Sequence, residues 1–135
     1  MLKPDPTNVD EKIRMVFAGH DAEALVFVFG SVAKGRATFD SDLDVAYYGK
    51  APLTSQQKMQ LITELGQKTG RPIDLVDLFD LPEPLLGQVL TSGRRLKGSD
   101  SAYAALLNRH LVAQADFVPL QNRILVERRV AWIGK

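Results

Sequence analysis

Apolar residues fall in short blocks along this chain, and the period of the blocks changes from one to the next. Ala24 to Phe29 is a continuous apolar run, short and rich in Val and Phe, which predicts a strand covered on both faces. Leu43 to Tyr48 and Ile73 to Leu78 predict a second and a third strand, and Gly93 to Lys97 a short fourth. Between them the spacing lengthens to that of helices. Ile13, Val16 and Phe17 form the inward stripe of a helix over about residues 9–18, with Asn8 and Glu11 as its N-terminal capping pair and Gly19-His20-Asp21 as its break. Leu53, Met59, Leu61, Ile62 and Leu65 form the stripe of a longer helix that starts at Thr54, with Gln57 completing the cap, and that Gly66 weakens and Gly70 ends.

Pro82 and Pro84 punctuate a loop before a helix near Leu85 to Leu90. Ser99 to Ala115 reads as a further helix, and Pro119 separates it from a last one over about Leu120 to Ile133. The order of elements predicts an α/β (α+β) fold, with a small sheet in the first hundred or so residues and helices after it. The chain of 135 residues is of a size for one domain spanning 1–135, with a core over about 8–98 and C-terminal helices over about 99–133.

Composition narrows the class. Hydrophobic residues make up 45% and charged residues 24%, which suits a globular chain with a core. The formal net charge of +1 leaves no electrostatic footprint for nucleic acid, so direct nucleic-acid binding is not expected. There is no cysteine, which removes disulfides and thiolate zinc sites and suits a reducing cytoplasm. No apolar stretch is long enough for a signal core or a membrane span, so no membrane role is expected.

The candidate chemistry is concentrated between the first two strands. Gly30-Ser31 follows the first apolar run; after ten intervening residues come Asp42 and Asp44, with Leu43 between them. In a strand, residues two apart share a face, so Asp42 and Asp44 would aim two carboxylates at one point while Leu43 faces the core. Mg²⁺ prefers oxygen ligands and is commonly held by one or two carboxylates plus substrate phosphates, so two ions bracketing the attacking and leaving oxygens are the expected cofactors. Gly30 allows a tight turn and close approach to a phosphate, and Ser31 offers a hydroxyl and an N–H at the start of a short helix. Each feature alone is ordinary turn chemistry, but the four fixed positions together should match by chance in roughly one chain in a thousand of this length.

Gly30-Ser31-Val32-Ala33-Lys34-Gly35 followed by Ser41-Asp42-Leu43-Asp44 resembles the signature of the DNA polymerase β nucleotidyltransferase superfamily, and within it the minimal nucleotidyltransferases. Ile73-Asp74-Leu75-Val76-Asp77-Leu78 resembles the strand that carries the family's third carboxylate. The resemblance covers most of the chain, the last 35 or so residues least. It implies a small mixed sheet of the polymerase β type flanked by helices. It also implies an antitoxin that transfers AMP from ATP to a tyrosine of a partner HEPN-domain ribonuclease toxin.

Asp74 and Asp77 lie three apart and so face opposite sides of a regular strand; only one can join Asp42 and Asp44, and the resemblance favours Asp74. An Asp74 buried at the strand start among apolar residues would need a metal to offset its desolvation. Lys34, where the family usually carries a basic residue, and Arg36 are candidates for contact with the triphosphate. Ser41 shapes the turn into the second strand, with contact to the metal shell as a second role.

His20 and His110 have no partner at ligand or triad spacing and read as surface or helix-end residues. Trp132 reads as core or interface, and Arg123, Arg128, Arg129 and Lys135 as a solvated helix face that could also meet an acidic partner or RNA. Two further functions remain open at this level: a non-catalytic antitoxin that covers its toxin, and a nucleotidyltransferase acting on a small molecule such as an aminoglycoside.

Overall fold

The computed structural model describes residues 6–33, 35 and 41–115. The elements in chain order are α1 (Pro6–Phe17), β1 (Leu25–Phe29), α2 (Gly30–Ala33), β2 (Leu43–Tyr48), α3 (Ser55–Thr69), β3 (Ile73–Asp77), α4 (Leu85–Ser92) and β4 (Arg94–Lys97). Residues 100–115 are helical and are called α5 here. The predicted helix over 120–133, with Trp132 and the basic group from Arg123 to Lys135, lies outside the described residues, as do Lys34 and Arg36.

The four strands form one mixed sheet in the order β3-β2-β1-β4. β1 runs antiparallel to both β2 and β4, and β2 runs parallel to β3. A parallel pair needs a crossover between its strands, and α3 provides it. Alternation along the strands sorts the side chains onto two faces. Val26, Val28, Leu43, Val45, Tyr47 and Leu75 pack with Ile13, Val16 and Phe17 of α1 and with Leu61 and Leu65 of α3. Leu25, Phe27 and Ala46 pack with Leu86, Val89 and Leu90 of α4 and Leu106 of α5. Helices therefore cover both faces, which is why β1 reads as an unbroken apolar run.

Local chemistry sets the helix ends. Thr54 Oγ1 accepts from Gln57 N at 3.1 Å while Gln57 Oε1 accepts from Thr54 N at 2.9 Å, the reciprocal cap that the sequence predicts. Gly70 closes α3 in the left-handed region at φ 69°, donating from its N–H to Gly66 O at 2.9 Å. α1 begins earlier than predicted: Pro6 occupies its first position, where a missing N–H costs nothing, so Asn8 lies inside the helix and not ahead of it.

Two predicted environments are corrected. Met59 is 62% exposed and belongs to the outer face of α3, while Leu61 and Leu65 carry the core contact. His110 is not at the surface. It is 8% exposed, with Nδ1 standing 2.5 Å from Glu83 Oε1; a carboxylate only accepts, so Nδ1 carries the proton. The ring fits because Gly87 has no side chain: a Cβ there would stand 2.7 Å from His110 Cε1.

Leu61→Ala is expected to lower stability by about 2–5 kcal/mol, and Met59→Ala by no more than about 0.5 kcal/mol. Urea unfolding of the two variants beside the parent chain measures the contrast.

Candidate active site

The site grows from the register of two neighbouring strands. β2 and β3 pair in parallel with Asp44 directly opposite Asp74. Both side chains lie on the α4 face, because their neighbours Leu43, Val45 and Leu75 point to the α1 and α3 core. Across the antiparallel ladder, Asp44 is opposite Phe29, the last residue of β1. Gly30 then turns the chain away at φ 72°. That left-handed geometry favours glycine, and space demands it too: a Cβ at Gly30 would collide with the Asp44 carboxylate Oδ2.

Burial raises the Asp44 carboxyl pKa above its ordinary value, and the negative charges of Asp74 and then Asp42 raise it further, with a hydrogen bond between the Asp44 and Asp74 side chains acting in the same sense. A bond between two carboxyl groups requires a proton on one of them. Asp42 is exposed and sits just ahead of β2, while Leu43 is fully buried, so the two aspartates flank a core anchor. The entry to β2 is tied to the entry to β3: Leu43 N donates to Pro72 O at 2.8 Å, and Arg71 Nη1 donates to Ser41 O at 3.2 Å. Nothing in the local sequence flags Arg71, since its partner lies 30 residues away.

Asp74 is exposed, unlike the buried carboxylate expected from its apolar neighbours, because β3 is an edge strand. Asp77 sits at the far end of β3, opposite Tyr47, and its carboxylate is occupied: Oδ2 accepts from Leu53 N at 2.8 Å and Oδ1 from Phe79 N at 3.0 Å. Gly30 and Ser31 open the single turn of α2. The structure thus brings Gly30, Asp42, Asp44 and Asp74 together at one end of β2, and leaves Asp77 at the other.

Among the described residues, no three His, Asp or Glu side chains already form a cage for a metal ion. What the geometry offers is an Asp44–Asp74 pair with Asp42 close enough to be felt, a set of oxygen donors only. Such a set fits a hard cation completed by ligands from a substrate phosphate, as Mg²⁺ typically is.

Beside the carboxylates a cleft of about 270 Å³ runs between the sheet and α4. Phe29, Val76, Leu81, Leu85 and Val89 give it apolar walls; Gln88 and Ser92 are its polar side chains, and Gly30 lies at its edge. It is assembled from three separate segments, so no sequence pattern announces it.

Residues 11–102 match the model of the polymerase β nucleotidyltransferase family, and the chain belongs to that family. Over 75 residues it is 32% identical to the protein adenylyltransferase MntA of Shewanella oneidensis, a match that takes in 56% of this chain and 54% of MntA; the chain thus spans about half the length of this curated relative. A chain in a crystal structure of a toxin–antitoxin complex with AMP-PNP superposes with a TM-score of 0.67 at 23% identity, covering 86% of this chain and 98% of that one. A chain in the structure of the tri-AMPylated Shewanella oneidensis HEPN toxin with its MNT antitoxin gives a TM-score of 0.65 at 21% identity, covering 90% of this chain and 99% of that one. At these identities the likeness to the two structures establishes the shared fold. No helix among the described residues is long and apolar enough to cross a membrane.

The raised Asp44 pKa has a consequence for stability. The folded chain keeps a proton on Asp44 at pH values where the unfolded chain has released it. The stability this contributes is present below the ordinary carboxylate value and is lost as pH rises through the raised one. Asp44→Asn, which keeps the shape and supplies an amide donor to Asp74, is expected to melt higher than the metal-free parent near neutral pH. The difference should vanish in acid, as followed by thermal unfolding at a series of pH values.

Proposed function

We propose that this chain is a nucleotidyltransferase antitoxin that moves AMP from ATP to a hydroxyl, that of a tyrosine, on a partner HEPN-domain toxin. The observation that carries the proposal is the Asp44–Asp74 pair, set by strand register beside the Gly30 turn and within reach of the Asp42 charge. Family membership supports the reaction class, and the partner is suggested by the toxin–antitoxin complexes that share the fold.

Gly30 gives the backbone room to approach a phosphate, and the Ser31 N–H and hydroxyl hold the triphosphate. Lys34 and Arg36, which lie outside the described residues, are candidates to offset the charge of the triphosphate or of the departing pyrophosphate. Asp42 and Asp44 would hold Mg²⁺, with Asp74 completing the set; Ser41 shapes the turn that presents Asp42. When bound, Mg²⁺ would neutralise charge on the phosphates and make the attacking hydroxyl more acidic. Asp74, exposed at the sheet edge, faces an incoming macromolecule and accepts the hydroxyl proton. The hydroxyl oxygen forms a bond to the α-phosphorus, the bond from that phosphorus to the oxygen bridging to the β-phosphorus breaks, and pyrophosphate leaves. Charge neutralisation and alignment are the main demands on the protein in such a displacement. The absence of cysteine is compatible with a cytoplasmic setting for this reaction.

Asp74→Ala is expected to reduce AMP transfer to the toxin at least about a hundredfold. Asp77→Ala should keep transfer but lower stability by about 1–3 kcal/mol, because it strips two backbone N–H groups of their acceptor. Transfer of label from α-³²P ATP to the toxin, with a melting curve for each variant, measures both. Retained transfer in Asp74→Ala would overturn the assignment, and a stable complex with no label transferred by the parent chain would point to neutralisation by coverage alone.

A further inference from the structure

Resting on the nucleotidyl-transfer function proposed above, we infer that Arg71 is a positioning residue for the cation site: its side chain fixes the backbone of Asp42, the one aspartate of the three that strand pairing leaves free. Asp44 and Asp74 hold their places as register partners. Asp42 stands one residue ahead of β2, is exposed, and among the described residues has no register partner. Its place is set from the entry of β3 instead. The carbonyl of Ser41 belongs to the peptide group before Asp42, and the N–H of Leu43 to the one after it. Arg71 Nη1 donates to Ser41 O at 3.2 Å, and Leu43 N donates to Pro72 O at 2.8 Å. Peptide groups are planar, so a residue whose two flanking peptides are both tied has little freedom left in φ and ψ. One half of this clamp comes from backbone alone; the other half depends on the Arg71 side chain.

Arg71 is itself held in place. Gly70 ends α3 in the left-handed region at φ 69°, and Pro72 biases the residue before it to extended backbone, so the chain turns sharply ahead of Arg71 and runs straight after it. Thr69 Oγ1 accepts from Arg71 N at 3.4 Å and donates to Leu65 O at 2.7 Å, which ties Arg71 to the last turn of α3. The half-buried guanidinium therefore springs from a fixed platform. Its charge, which is permanent, has the wrong sign for a cation site. Through charge alone, loss of Arg71 would strengthen cation binding. Through the position it gives Asp42, its loss weakens cation binding. The two roles act in opposite directions, so the sign of the effect separates them.

Arg71→Met keeps an unbranched stem and removes the donors. In the metal-free full chain it is expected to speed amide hydrogen exchange at Leu43 about tenfold, and to leave unchanged the Leu78 N–H, which donates to Tyr47 O at the other end of the same strand pair. Mn²⁺ affinity in the presence of ATP, read by electron paramagnetic resonance, should fall about tenfold. AMP transfer should recover as Mg²⁺ is raised. Arg71→Lys, which offers a donor to the same carbonyl, should regain most of the Mn²⁺ affinity. Asp77→Ala, which loosens the far end of β3, should leave Mn²⁺ affinity as it is, so a general loss of stability does not imitate the effect. Mn²⁺ binding in Arg71→Met as tight as in the parent, or tighter, would overturn the assignment. So would weakened tripolyphosphate binding without metal while Leu43 exchange is unchanged, which would make Arg71 a phosphate contact. A parent chain that binds no Mn²⁺ with ATP would overturn the proposed function itself, and this role with it.

Discussion

Two carboxyl groups held side by side are the constraint around which this fold is arranged. Parallel pairing of β2 with β3 places Asp44 opposite Asp74, and a shift of one residue would turn one of them into the α1 and α3 core. The arrangement is unfavourable in isolation. Burial and the neighbouring carboxylates both oppose the charged form of Asp44. The core opposes any escape: Leu43, Val45 and Leu75, the alternating partners of these aspartates, are buried and lock the register from the other face. The hydrogen bonds from Leu43 to Pro72 and from Arg71 to Ser41 hold the strand entrances together at the same point. A cation would relieve the repulsion that the core enforces. The raised proton affinity of Asp44 is the counterpart of the cation binding proposed for this site, as is common where stability and function compete.

The division of labour between the two layers of helices follows from this. α1 and α3 pack on the face opposite the aspartates, and the cluster they form with the sheet is the larger share of the core. α4 and α5 cover the face that bears the aspartates, and α4 leaves a cleft against the sheet instead of closing on it. Glu83, His110 and Gly87 join α5 to the start of α4: Glu83 Oε2 accepts from Gly87 N at 3.3 Å while its other oxygen meets His110. Arg109, also on α5, donates to Leu78 O at 2.7 Å and stands over the Tyr48 ring. The wall of the cleft is therefore anchored from behind, by contacts remote from the carboxylates.

Much of the fold was legible because it is built from strong local signals. β1 and β2 are apolar runs bounded by turns, and α3 carries its cap in Thr54 and Gln57 and its stop in Gly70. The proximity of Gly30 to the aspartates was legible because the elements joining them are short and successive. What was not legible depends on distant segments meeting. Asp74 reads as buried among apolar neighbours, but the edge position of β3 exposes it. His110 reads as a surface residue, since neither Glu83, 27 positions away, nor the space left by Gly87 is visible in its own helix. Met59 fits the apolar stripe of α3 by residue type, but the helix turns it outward. The choice between Asp74 and Asp77 shows both sides: period 2 separates them, while only the pairing of strands shows which one stands beside Asp44.

The proposed function requires that Asp44 and Asp74 belong, with Asp42, to one site for a divalent cation. Electron paramagnetic resonance of Mn²⁺ titrated into the full chain with ATP, repeated for Asp44→Asn, Asp74→Asn and the double variant, measures this directly. Either single change is expected to remove most of the bound Mn²⁺, and the double change little more, since the two groups act as a unit. Mn²⁺ binding that survives both single changes, or losses that simply add, would contradict it.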